Sequence, residues 1–185
     1  MTLTRLNRFA LPLLAAAALP AVAVAQPKPP ANPTAQATLL GQYGDWGAYT
    51  ANPGGHKICF ALSKPTASVD NPPNRRTAAN VVYLFVSTRP EEKVSNEVSI
   101  LVTGYAFKPN SEASVNVGGT NFAMYTQNDG AWVKNAAEEA KMIETIRKGA
   151  DAVVKATTSR GTQTTDTFSL KGISQALDRA AQECK

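Results

Sequence analysis

Turn clusters interrupt this chain at short intervals, and they constrain its fold more than any other feature. Asn52-Pro53-Gly54-Gly55 separates the aromatic run 45–51 from the apolar run 57–62, which predicts a hairpin. Ser63-Lys64-Pro65 ends that unit, and the polar, Pro-containing residues 66–79 read as a loop. Residues 81–87 (VVYLFVS) are apolar at consecutive positions, as in a strand buried on both faces. Residues 96–107 form a longer β-branched run in which Gly104 marks a bulge or bend. Residues 113–117 and 121–126 flank Gly118-Gly119 as a second hairpin, and 131–133 is a short strand after Asn128-Asp129-Gly130. No helical segment alternates with these strands. The expected class is therefore mainly β, an antiparallel sandwich of about eight strands.

The period changes in the C-terminal third. Asn135 is placed to cap a helix, with Glu138 at its third position. Ala136, Ala140, Met142, Ile143 and Ile146 give that helix an apolar stripe, and Gly149 marks its end. Residues 151–158 and 162–168 return to strand character around Ser159-Arg160-Gly161. A last helix follows, with Ser169 as the expected cap and Leu170, Ile173, Leu177, Ala180 and Cys184 along one face.

The first 25 residues read as a signal peptide. Arg5 and Arg8 precede an uncharged apolar run, and Ala23-Val24-Ala25 is a cleavage pattern. No Cys follows it to carry a lipid anchor. Residues 26–37 hold four prolines and read as a flexible tether, leaving 38–185 as one domain with no integral membrane span. Loss of Arg5 and Arg8 takes the formal charge from +5 to +3. That excess is too weak, and Arg75-Arg76 and Arg147-Lys148 are too short, to indicate a nucleic-acid partner. Export to an oxidising compartment, periplasmic or outer-membrane-associated, with onward secretion as the alternative, makes a Cys59–Cys184 disulfide the expected state of the only two cysteines. A reactive thiol is the alternative.

The chemistry-bearing residues are sparse. His56 is the only histidine and sits in a turn, so neither a Ser–His nor a Cys–His pair is indicated. Ser63-Lys64 and Ser159 leave a Ser–Lys arrangement only formally open. The His and Cys content does not supply a metal site, and no phosphate-binding loop or dinucleotide fingerprint is present. No catalytic residue, metal or cofactor is therefore assigned. The stretch 158–172, TSRGTQTTDTFSLKG, gathers Arg160, Thr162, Asp166 and Lys171 with several hydroxyls. It reads first as a hairpin with a helix cap. Its threonines line a solvated face, and Asp166 accepts hydrogen bonds from Thr158, Ser159 or Arg160 across the turn. An anion- or glycan-binding role for the four residues is the functional alternative.

Gly44-Asp45-Trp46-Gly47, Cys59 with Ser63-Lys64-Pro65, Asn96-Glu97-Val98 leading to Gly104-Tyr105, Ala131-Trp132, Ser159-Arg160-Gly161-Thr162 with Asp166, Ser169-Leu170-Lys171-Gly172 and Cys184 occur in that order. The ordered set, over about 40–185, resembles the invasion-associated locus B family of exported bacterial proteins. The resemblance implies an immunoglobulin-like β-sandwich in the envelope of a Gram-negative, alphaproteobacterial cell. It also implies a link, in pathogens, to entry into host cells, and it brings no catalytic residues. The expected function is a non-enzymatic envelope or interaction protein with an envelope or host-surface protein as partner. Tyr43, Trp46, Tyr105 and Trp132 are the aromatics able to anchor such a partner or to pack the core. The alternatives are a periplasmic binder of an anionic glycan or small ligand and, third, a cell-wall hydrolase with two carboxylates converging in a cleft.

Overall fold

The computed structural model describes residues 37–185. The expected signal peptide and all but the last residue of the tether lie outside them. Eleven strands are present: β1 Thr38–Tyr43, β2 Trp46–Ala51, β3 Ile58–Ser63, β4 Ala67–Asn71, β5 Val82–Arg89, β6 Val94–Val102, β7 Glu112–Val117, β8 Thr120–Gln127, β9 Gly130–Val133, β10 Asp151–Thr157 and β11 Gln163–Ser169. The helices are α1 Ala136–Lys148 and α2 Ile173–Glu183. Every strand pairing is antiparallel, in one sheet ordered β1-β2-β3-β5-β6-β9-β8-β7-β10-β11-β4. The mainly β antiparallel class with two late helices is thus the class the turns predict, with eleven strands where about eight were expected. The expected hairpins 45–62, 113–126 and 151–168 all form.

The sheet is rolled on itself. Eight strand steps separate β2 from β11, which would span roughly 40 Å if flat. Yet Trp46 Nε1 donates to the Ser169 carbonyl at 2.9 Å, and Asp45 N donates to the Lys171 carbonyl at 3.1 Å. Likewise only Lys64, Pro65 and Thr66 join β3 to β4, the far edge strand. One buried cluster fills the inside. It takes Val82, Leu84 and Val86 from β5, Val115 and Val117 from β7, Val154 and Phe168 from the β10–β11 pair, and Met142, Ile146 and Leu177 from the helices. A smaller cluster, Phe60 and Phe85 with Tyr49, stacks on the other face of the β2–β3–β5 region, with centroids 5.3 and 4.5 Å apart. Residues 81–87 are indeed apolar because both faces of β5 are covered.

Cys59 on β3 and Cys184 at the end of α2 are bridged, with Cα atoms 5.9 Å apart. The same helix face buries Ile173, Ala176, Leu177 and Ala180 and packs on β1, β2 and β3.

The helix ends divide between expectation and correction. The Asn135 side chain accepts from Glu138 N at 2.9 Å, as a cap should. Asn135→Ala is expected to lower stability by about 1 kcal/mol, read from urea denaturation. Gly149 follows α1, but with a φ of −77°. Its Cβ would lie 2.6 Å from Val117 Cγ1, so close packing, not handedness, calls for glycine there. Ser169 does not cap α2. It accepts from Lys171 N within a local turn, and Gly172, at φ 96°, occupies the cap position. A Cβ on Gly172 would sit 1.8 Å from the Tyr43 carbonyl oxygen. Gly172→Ala should therefore destabilise by about 2 kcal/mol, checked by thermal unfolding.

β1 and β4 are edge strands that the sequence reading did not anticipate. β4 falls inside the segment read as a loop. Its residues are nearly all exposed, so no apolar alternation announces it. It exists because it pairs with β11, Asp70 opposite Thr164 and Ser68 opposite Asp166.

Candidate functional site

Three loops meet at the β4–β11 end of the sheet: the segment 72–80 after β4, the Gly104–Tyr105 turn after β6, and the β10–β11 turn. They enclose a cleft of ≈ 770 Å³ whose lining includes Asn74, Arg75, Arg76, Tyr105, Arg160 and Thr162. That volume lies within the range of small-ligand sites, about 300–1,000 Å³.

Arg76 organises the cleft floor. Its side chain is 9% exposed and reaches Asp70 Oδ1 through Nε at 2.6 Å. Its Nη1 donates to both Asp166 oxygens at 2.9 Å, and the Asp166 side chain is 2% exposed. Ser68 Oγ also donates to Asp166, at 2.6 Å. Asp70 in turn accepts from the backbone N–H groups of Arg75 and Arg76 at 3.2 and 2.8 Å. Burial works against the Arg76 charge. The attraction of Asp166 and the hydrogen bonds that Arg76 donates to both carboxylates outweigh it, so the guanidinium pKa is raised above its ordinary value.

The remaining walls are tied down by backbone. Asn80 Oδ1 accepts from Thr77 N at 2.8 Å, and Asn80 Nδ2 donates to the Thr103 carbonyl. Gly104, at φ 73°, leaves room for that amide, which would stand 2.6 Å from a Cβ. In the β10–β11 turn, Thr158 N donates to the Thr162 carbonyl and Thr162 N to Thr158 Oγ1, at 2.9 and 3.1 Å. Ser159 N donates to the Ala106 carbonyl at 2.8 Å, which fastens the turn to the chain beside Tyr105.

Tyr105 lines the cleft with its ring edge-on to Phe107. Its hydroxyl is buried beside Arg76, and among the described residues no group completes a hydrogen bond to it. Burial pushes its pKa up to about 12, against a smaller opposing pull from Arg76. A buried hydroxyl without a protein partner adds nothing to the fold. Tyr105→Phe should therefore leave stability unchanged or raise it by up to about 1 kcal/mol in urea denaturation.

The structure separates the four residues read together from the sequence. Arg160 is exposed at the turn, and Thr162 is buried in the cleft wall. Asp166 is not solvated, and its donors are not in the turn: it lies opposite Val154 and accepts from Arg76 and Ser68. Lys171 lies beyond the other end of β11, roughly 20 Å along the strand direction from Thr162, against the β1–β2 turn. The expected solvated threonine face is corrected too. Thr162 and Thr164 are buried on the Asp166 and Phe168 side of β11, so the inward face of that strand runs from apolar to polar toward the cleft.

The other candidates have structural partners. His56 Nδ1 meets Glu91 Oε2 at 2.6 Å on an exposed surface. Ser63 Oγ donates to the Asp45 carbonyl, while Lys64 lies over the Tyr83 ring, so the two do not form a nucleophile–base pair. Trp46 is fully buried in the core, Tyr43 packs at its margin, and Trp132 is half-buried and stacked on Tyr125. Among the described residues no group of three His, Cys, Asp or Glu could hold a metal ion, and no helix is long and apolar enough to cross a membrane.

Fold and site together define a disulfide-bridged, antiparallel β domain with a cationic cleft at one end of a rolled sheet. The chain belongs to the invasion-associated locus B (IalB) protein family, whose model matches residues 46–181. That span runs from the first core tryptophan almost to Cys184 and includes every cleft residue named above. No curated protein and no solved structure gives a match. Family membership and the disulfide fit an exported protein.

Proposed function

We propose that the protein is an exported, non-enzymatic envelope protein that acts by binding. The observation that carries this reading is the state of the cleft side chains. Both carboxylates are tied to one guanidinium, and what faces the space, apart from Pro72 and the Tyr105 ring, is guanidinium, amide and hydroxyl. General acid–base or nucleophilic catalysis needs a free base within reach of the reacting group, and a carboxylate clamped by two donors is poorly placed for it. Such a lining holds a ligand without breaking its bonds. Family membership supports a place in the envelope, and with it a role in host-cell entry or in envelope integrity.

The test is cross-linking in intact cells with a tagged chain, followed by affinity purification and mass spectrometry. Reproducible capture of an envelope component, or of a host-surface protein during infection, is the expected result. Hydrolysis of cell-wall polymer by the purified protein, abolished by Asp166→Asn, would overturn the reading. A second reading, a periplasmic binder of an anionic small ligand or glycan, is favoured by the cleft itself, because Arg75 and Arg160 are exposed cations on its rim.

A further inference from the structure

We infer that the cleft between residues 72–80 and the β10–β11 turn takes an acidic sugar, a pyranose carrying a carboxylate or a phosphate. The inference rests on the second reading above, that the cleft is a binding site, and adds what kind of molecule it selects.

Three observations lead there. The first is charge. Arg75, Arg76 and Arg160 all line the space; Asp70 and Asp166 pair with Arg76 from below, so the five groups carry a formal +1, with the free cations at the rim. Among the described residues, Arg75 and Arg160 have no ion-pair partner. The guanidinium fork matches the paired oxygens of a carboxylate or phosphate.

The second is the rest of the lining. Small-molecule sites in general are lined mostly by hydrophobic and aromatic side chains, and this one departs from that pattern. Here Asn74, Thr77, Asn80, Ser159 and Thr162 supply amides and hydroxyls, and Gly161, with open space beside its Cα, leaves the backbone open to close approach. A ligand satisfied by such walls carries several hydroxyls of its own. An acidic peptide would need apolar side-chain pockets, which this lining lacks apart from Pro72 and the Tyr105 ring.

The third is rigidity. The turn carrying Arg160 is closed by its own Thr158–Thr162 hydrogen bonds and pinned to Ala106, and Arg76 is held by two carboxylates. The walls are therefore set before a ligand arrives, which lowers the ordering cost of binding.

The experiment is an amide chemical-shift titration of the ¹⁵N-labelled exported protein at fixed ionic strength. The probes are glucuronate, N-acetylmuramic acid, glucose 6-phosphate, glucose, inorganic phosphate and an acidic peptide. The expected result is saturable shifts at 74–80, 104–105 and 159–162 with at least one acidic sugar, and none with glucose at the same concentration. Which acidic sugar binds separates a carboxylated glycan from a phosphorylated headgroup. Arg75→Ala combined with Arg160→Ala should weaken that binding by about ten-fold or more, with the remaining resonances in place. Inorganic phosphate binding as well as the sugars, or the peptide binding in preference to them, would overturn the acidic-sugar assignment and leave the cleft a binding site. Absence of shifts with every probe, from a protein that still captures a partner through cross-links sensitive to Arg160→Ala, would overturn the assignment alone. Absence of both shifts and Arg160-sensitive cross-links would overturn the binding reading of the cleft as well.

Discussion

Replacing Arg76 by Met should cost about 3 kcal/mol of folding stability, because it leaves two nearly buried carboxylates without their shared counter-charge. In a domain of this size that corresponds to a fall of roughly 10 °C in melting temperature. The figure is at the low end for breaking a buried ion pair, since the cleft brings water close to the guanidinium. The mechanism has its own signature. Asp70→Asn and Asp166→Asn made together in the Arg76→Met background should recover much of the loss, because the burden is the uncompensated charge and not the missing side-chain volume. Urea denaturation of the single and triple variants checks this. A triple variant no more stable than the single would show that Arg76 acts through packing.

The second large effect is expected from the disulfide. Cys59 and Cys184 are 125 residues apart, so the bridge closes nearly the whole domain. Constraining a loop of that length in the unfolded chain contributes about 4–5 kcal/mol in the chain-entropy account. The Cys59→Ser, Cys184→Ser double variant should lose about that much, and the wild-type protein should lose a similar amount when unfolding is measured in reductant. Both cysteines are held on elements that pack together regardless, β3 and α2. The double variant is therefore expected to fold to the same structure with a lower unfolding midpoint. An unchanged midpoint would mean that the unfolded chain is already compact enough for the link to constrain nothing.

The parts of the fold written in short-range chemistry were legible. Hairpins announced by Gly-Gly, Arg-Gly and Asn-Pro-Gly-Gly, the helix opened by Asn135, and the apolar face that carries Cys184 all stand where their local patterns put them. β4 was not legible, because an exposed edge strand needs no apolar alternation and owes its existence to β11. The same gap hid the centre of the site. Asp166 was singled out from its neighbours in sequence, yet the group that decides its role is Arg76, 90 residues earlier. The only local signal for Arg76 was an Arg-Arg pair after a Pro-Pro turn, which reads equally well as solvated surface. Lys171 is set apart from the others for the opposite reason. Proximity along the chain suggested a shared surface, while β11 carries it to the far end of the sheet.

The pairing of β4 with β11 also bears on the order in which the molecule can assemble. The strand that supplies Asp70 is made early, but among the described residues its only strand neighbour lies between residues 163 and 169. Contacts of such long sequence separation form slowly and late, after the loop-closure entropy of the intervening chain has been overcome. A chain emerging N-terminus first can build β1, β2, β3, β5 and β6 from residues already present. Asp166, Arg160 and the second wall of the cleft arrive only with the last quarter of the sequence, close to the appearance of Cys184. The cleft and the disulfide thus belong to the same late stage, and no amino-terminal fragment ending before Gln163 can complete the cleft.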